Sequence, residues 1–405
     1  MPLDPTQPSP PSPPGDARPR ATDRFTWSMF ATFSLWGWVL YMFGPATQLL
    51  GSERGLSDTL TGLHGTAMAV GTVLAGTMMP RLVPALGRRR TLMVSAVLIA
   101  AGLTVFVASP AFVLGLAAVV VMSIGGGMTL GAGAAGLVLH HGPRAAAAAL
   151  TTGNGLGTVA GVVGPLALGA AVGFGLGWRA ALLTTVPLAA AAYVLWSRTV
   201  PAERPRLGSG HDDDGGRARL VIGRDAWLLL LATVSGTAIE FATTFWAASL
   251  LRESTGATAG VAAGSTAGLV AGMALSRLAS GPATRRWGAP RLVATAFGVA
   301  GIGWAVLWTA TTPVVAIVGL VIAGLGTGLL FPMGSALFLA AARGPVDSAQ
   351  SVVTVAAGTA IGVVPFALGA FADLVGVHTA FLVVPVFVVV GLAGVLVGSR
   401  PWHAH

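Results

Sequence analysis

Glu240 has more chemistry open to it than any other acid in this chain. It stands near the middle of an apolar run at 227–251. On a helix, Thr233, Gly236, Thr237, Thr243 and Thr244 fall at i−7, i−4, i−3, i+3 and i+4 from it, which gives it a small or hydroxyl-bearing face. An ionised carboxylate turned to lipid at mid-bilayer is strongly unfavourable. Such an acid must therefore face a cavity or a partner, where it can take up and release a proton. About two hundred residues earlier a similar face recurs as Ser34, Gly37, Trp38, Tyr41, Gly44, Pro45 and Gln48, with Tyr41 near the place that Glu240 holds. His64, a turn into the run 59–80, is a second group able to carry a proton. Arg277, inside the run 258–280, is the cation available to satisfy Glu240. Asn154, Thr243, Thr244, Trp246 and Phe331 complete the set of candidate cavity residues.

Several other chemistries lack their residues. No Ser–His–Asp set, carboxylate pair or HExxH spacing occurs, so no enzyme is expected. There is no cysteine, hence no disulfide and no thiolate-held metal. His211-Asp212-Asp213-Asp214 falls in a Gly- and Pro-rich polar stretch and reads as a solvated linker, so no metal site is expected. Gly153, Gly155 and Gly157 lie in an apolar run with no strand before it, so they are not a dinucleotide loop, and no cofactor is expected. The net charge of +9 comes from arginines spread through short segments between apolar runs, a placement that suits membrane orientation and argues against nucleic acid.

The elements that must position these residues follow from composition. The chain is 54% hydrophobic and 9% charged, against roughly 25% charged in soluble domains. Lipid is therefore its solvent. A spanning helix needs about 20 apolar residues, and such runs fall at 28–50, 59–80, 91–109, 112–139, 146–172 and 179–197, then at 227–251, 258–280, 291–310, 314–341, 350–371 and 379–398. Residues 1–26 read as a disordered tail, 198–226 as a linker and 399–405 as a second tail, leaving six-helix halves at 27–197 and 227–398. No cleavable signal peptide precedes the first run. With the amino terminus inside, nineteen arginines fall in inner segments and three (Arg54, Arg179, Arg252) in outer ones. Both termini are then cytoplasmic. The Arg-only, Ala- and Gly-rich composition points to a bacterial chain and so to the cell membrane.

The halves share landmarks. Pro165-Leu-Ala-Leu-Gly169-Ala170 returns as Pro365-Phe-Ala-Leu-Gly369-Ala370, Gly87 as Gly288, Gly142-Pro143 as Gly344-Pro345, and Gly177-Trp178-Arg179 as Gly376-Val377-His378. The fold expected is an all-α membrane protein with twelve transmembrane helices in two pseudo-symmetric six-helix bundles. Leu82-Val-Pro84-Ala-Leu-Gly87-Arg88-Arg89-Arg90, with its echo Arg285-Arg286-Trp287-Gly288 preceded by Arg277, is similar to the loops between spans 2 and 3 and spans 8 and 9 of the major facilitator superfamily. Pro84 and Arg285 stand where that family's loop has aspartate. Gly161-Val-Val-Gly164-Pro165-Leu-Ala-Leu-Gly169 resembles part of the bent fifth helix of the family's antiporters, while Gly324 to Pro332 resembles the tenth helix of its sugar-type members. Gly177-Trp178-Arg179 followed by Pro187 is similar to the family's junction of helices 5 and 6.

The resemblance covers 27–398. It implies a secondary transporter that moves a small organic solute by alternating access and works as a monomer. Glu240 and His64 would serve proton coupling. Gly87, Arg88, Arg89, Arg90, Arg277, Arg286 and Gly288 would serve gating, and Gly164, Pro165 and Gly169 would form the bend. Proton-driven efflux is the first expectation. Uptake of a sugar or metabolite by symport and a non-transporting sensor or scaffold are the alternatives.

Overall fold

The computed structural model describes residues 23–199, 220–344 and 346–399, without the side chains of Pro80, Val138, 142–148, Thr151, 281–285 and 346–348. Most of the expected tail 1–26, the linker core with its His-Asp run, and residues 400–405 lie outside the described residues.

The chain is helical almost throughout. Its helices are α1 (Arg24–Arg54), α2 (Asp58–Leu86), α3 (Arg88–Ala108), α4 (Phe112–Gly173), α5 (Gly177–Leu183), α6 (Thr185–Ser197), α7 (Arg224–Thr255), α8 (Ala259–Trp287), α9 (Ala289–Trp308), α10 (Pro313–Ala341), α11 (Val346–Val375), α12 (Val377–Ala380) and α13 (Val383–Gly398). The described residues hold no strand, only one bridge in which Val221 and Arg343 exchange backbone hydrogen bonds of 2.8 and 3.1 Å. That bridge ties the exit of the linker to the α10–α11 turn.

Ten segments are long and apolar enough to cross a membrane. The spans α1 and α2 are long enough but more polar, because they turn Thr26, Ser28, Thr32, Thr47, Thr61 and His64 into helix contacts. Together they make twelve spans in two bundles. Spans 4 and 5 were expected as separate helices; the backbone is instead helical without a break over 62 residues. A straight helix of that length would reach about 93 Å, some three bilayer cores. It doubles back: Gly133 and Gly153, twenty residues apart, both pack on the Phe33 ring. Two arms result, Phe112–His141 outgoing and Thr152–Gly173 returning.

Span 6 is broken at Thr184 into α5 and α6, and span 12 at Phe381 and Leu382 into α12 and α13. Pro187 and Pro385 explain both breaks, since proline offers no N–H to the carbonyl four residues back. For Pro385 that carbonyl belongs to Phe381, and Trp304 Nε1 donates to it at 3.1 Å. The internal repeat is written into backbone angles. Gly55 and Gly256 have φ of 61° and 65°, Gly87 and Gly288 of 77° and 75°, and Gly177 and Gly376 of 79° and 82°. Each pair ends or starts matching helices in a region of φ that only glycine enters without strain.

The odd-numbered spans begin at an arginine-rich end of the molecule, which carries Arg88, Arg89 and Arg286. Gly55, Asp58 and Asp373 mark the far end.

Candidate functional site

Glu240 lies midway along α7 and is 7% exposed. The Tyr41 hydroxyl of α1 donates to its Oε1 at 3.3 Å, so the acid and its donor come from opposite bundles. They meet because α1 and α7 cross at a glycine: a Cβ on Gly44 would stand 2.6 Å from the Thr244 carbonyl oxygen. Gly161 of the returning arm lies flat against the Tyr41 ring for the same reason.

Arg277 completes the cluster. It sits well inside α8, within the run where the sequence placed it. Its Nε–H donates to the Gly328 carbonyl at 3.1 Å and its Nη1 to Thr158 Oγ1 at 3.2 Å. Its charge also acts on Tyr41 and Glu240. Among the described residues no carboxylate comes within ion-pair distance of it; the pairs found are Glu53–Arg179 and Asp23–His140. Glu240 and Arg277, from α7 and α8, thus both act on the one phenol that α1 supplies. Gly328 is the carbonyl that Pro332, four residues on, cannot serve.

The other expected cavity residues scatter. His64 is buried inside the first bundle, its Nδ1 3.0 Å from the Thr61 carbonyl and its ring between Phe106 and Phe112; the structure does not bring it to Glu240. Trp246 is fully buried in the α7–α11 seam and donates to the Pro365 carbonyl at 3.0 Å, so it faces no cavity. Thr243 bonds back to the Ile239 carbonyl and, like Thr244, lies in helix contacts. Gln48 is two turns beyond Tyr41 toward the far end. Its Oε1 accepts from Ser249 at 2.8 Å, and it lines a separate cavity of about 410 Å³ with Asp58, Arg252 and Glu253. Trp38 turns to a cleft of about 640 Å³ between α1, the returning arm and α6. Asn154 is exposed and Phe331 half-buried.

The arginines of the first loop brace their own bundle. Arg88 donates to the Ala132 carbonyl at 2.7 Å; Arg89 donates to those of Trp196 (2.9 Å) and Ser197, capping α6 where its dipole favours a cation. Arg90 is exposed, and Arg286 lies 6.0 Å from the centre of the Trp287 ring. The bend residues pack rather than open: Gly164 meets the Trp38 carbonyl and Gly169 the backbone of Gly260 and Gly264.

Two seams join the bundles. On the α2–α11 seam, the Asp373 carboxylate accepts from the backbone N–H of Asp58 (2.7 Å) and Thr59 (2.9 Å) and from the Thr59 hydroxyl. Next come Gly62 against Pro365, Thr66 Oγ1 donating to the Gly362 carbonyl at 2.6 Å, and Val73 beside Gly358. At Gly76, on the same face of α2, the neighbouring helix is out of reach. The other seam runs from Gly169–Gly260 through Gly161–Val270 to Thr158–Arg277, with open space beside Gly155. Among the described residues, both seams are therefore in contact toward the far end and looser at Gly76 and Gly155, toward the arginine-rich end.

Sequence reasoning missed Asp373, Thr158, Glu53 and the carbonyl of Gly328. Glu53 accepts from Trp178 Nε1 at 2.8 Å and from both Nη atoms of Arg179 at 2.7 Å, and these bonds hold its carboxyl down at about 2. Burial, then the nearby Asp373 and Glu253, raise Asp58. Pro332 was the signal for Gly328; backbone acceptors leave no other mark in a sequence.

The family model described as Major Facilitator Superfamily matches residues 29–278, well over half of the chain. No curated protein sequence matches. Among solved structures, a bacterial homologue of the human lysosomal transporter Spinster, inward-facing and unoccupied, aligns with a TM-score of 0.77 at 16% identity over 93% of this chain and 96% of that one. A D-xylose-proton symporter gives 0.73 at 14% over 93% and 97%. The nucleoside transporter NupG gives 0.71 at 14% over 93% and 98%.

Proposed function

This chain belongs to the Major Facilitator Superfamily, and from that premise we propose that it is a proton-coupled exporter of a small organic solute, working by alternating access. Glu240 carries the proton. The observation that carries this reading is its burial between the bundles with a hydrogen-bond donor from the opposite one. A change in its charge alters a contact that both halves share. The solute is neutral, cationic or weakly amphipathic, since few charges line the interface. Its exchange for protons fits the helix-5 glycine–proline pattern. Each charge crossing 100 mV is worth about 2.3 kcal/mol, enough for a roughly fiftyfold gradient. The arginine-rich end is cytoplasmic, so both termini lie on the inner side of a bacterial cell membrane and this conformer is inward-open. The protein works as a monomer.

Proton-coupled uptake is the second reading. It is favoured by Pro332 inside the helix-10 segment and by the D-xylose-proton symporter among similar folds.

Reconstituted protein under an imposed pH gradient, offered a panel of compounds, tests the proposal. Glu240→Gln should abolish proton-driven flux with expression intact; unchanged coupling would end the assignment. Counterflow without co-accumulation supports exchange, co-accumulation supports symport, and no flux with any compound supports a scaffold.

A further inference from the structure

We propose that Arg277 is a positioning residue that converts the charge on Glu240 into a change in how the bundles meet. The proposal rests on Glu240 as the proton carrier.

Three observations lead to it. The Arg277–Thr158 bond ties the returning arm to α8 where the contact between them thins: Asn154, one turn on toward the arginine-rich end, is exposed, and a Cβ on Gly155 would meet nothing within 4 Å. The same guanidinium satisfies the Gly328 carbonyl that Pro332 leaves free, so it also holds the bend of α10. The third is electrostatic. The charged or titratable groups acting on Glu240 are Tyr41 from α1 and Arg277 from α8; the returning arm and α10 offer Arg277 only a hydroxyl and a carbonyl.

The consequence follows from competition for one cation. Ionised Glu240 draws the guanidinium toward Tyr41 and away from Thr158 and Gly328. Protonated Glu240 exerts no such pull, and the guanidinium settles on its neutral acceptors. Protonation therefore strengthens the tie between the returning arm and α8 and caps the α10 kink; ionisation loosens both. One side chain reports the proton to two elements at once. Lysine keeps the charge here but lacks the planar fork that reaches two acceptors in different directions.

The test uses full-length protein in proteoliposomes with two assays: solute counterflow across a pH series without a gradient, and proton-driven flux. Arg277→Gln is expected to keep counterflow, move its pH midpoint upward by about one unit because a neighbouring cation is gone, and lose proton-driven flux roughly tenfold. Arg277→Lys should restore the midpoint without restoring the drive. Thr158→Val, which removes only the tie between the returning arm and α8, should keep the midpoint and lose drive, and it carries the test if the arginine variants do not reach the membrane. Equal loss of counterflow and drive at every pH, with no shift of midpoint, would mean that Arg277 is merely structural and overturns the proposal. If Glu240→Gln keeps proton drive, both readings fall. If it loses drive while Arg277→Gln and Thr158→Val keep theirs, this one falls alone.

Discussion

At the scale of single residues, the far end holds a brace that sequence alone half revealed. Gly177-Trp178-Arg179 stood out as a motif, yet its purpose depends on Glu53, 126 residues from Arg179, which takes both guanidinium nitrogens while Arg179 stacks 4.4 Å above the Trp178 ring. The pair is about two-fifths exposed, so its worth is at most ~1 kcal/mol. Its pH dependence has a defined sign. Arg179 first, and Trp178 next, hold Glu53 at about 2, below its ordinary value. The stabilisation is thus complete above about pH 4.3 and lost as pH falls toward 2. Thermal unfolding of Glu53→Gln in detergent should lie slightly below wild type at neutral pH and converge with it in acid; a gap that widens in acid would contradict the assignment. Glu240 and Tyr41 were legible because the repeat places them on matching helices. Arg277 was legible only as a cation in an apolar run, since what it bonds to is a carbonyl and a hydroxyl.

At the scale of elements, the spans were readable and their interruptions were not. Apolar runs located all twelve, but 179–197 and 379–398 each looked like one continuous helix. The breaks at Pro187 and Pro385 depend on whether a neighbour can take up the freed carbonyl, which is a matter of packing. For Pro385 the neighbour is Trp304, whose ring also stacks on Trp308 at 5.8 Å. Trp304→Phe keeps an aromatic ring there and removes the donor. It should cost about 0.5–1.5 kcal/mol, the net worth of one hydrogen bond, because the Val384 N–H still donates to that carbonyl at 3.0 Å. Measured unfolding free energy within ~0.3 kcal/mol of wild type would show that the indole donor adds nothing to the Val384 hydrogen bond. The same dependence on packing hid the hairpin of α4, where Gly142-Pro143 lies between the arms and the backbone nevertheless stays helical.

For the whole molecule, the two ends differ in closure, and the absence of cysteine makes that directly measurable. Thr59→Cys with Asp373→Cys should link readily under mild oxidation in the resting protein and stop transport until reduced. Gly76→Cys with Val355→Cys, on the parted stretch of the same seam, should link only while solute is being transported. Equal linking of both pairs at rest would contradict a far end closed while the other is open. None of this asymmetry was visible in the repeat, which makes the bundles look interchangeable.

The two far-end seals are built from different materials. One is main chain laid against main chain at Gly169, Gly260 and Gly264, where a Cβ on Gly169 would stand 2.6 Å from the Gly260 oxygen. The other is a carboxylate resting on the exposed amides that begin α2. The first has no side chain to swing aside; the second comes apart when three hydrogen bonds break. In an alternating-access cycle of the kind proposed above, the glycine seam would serve as the spine and the Asp373 edge as the part that comes away.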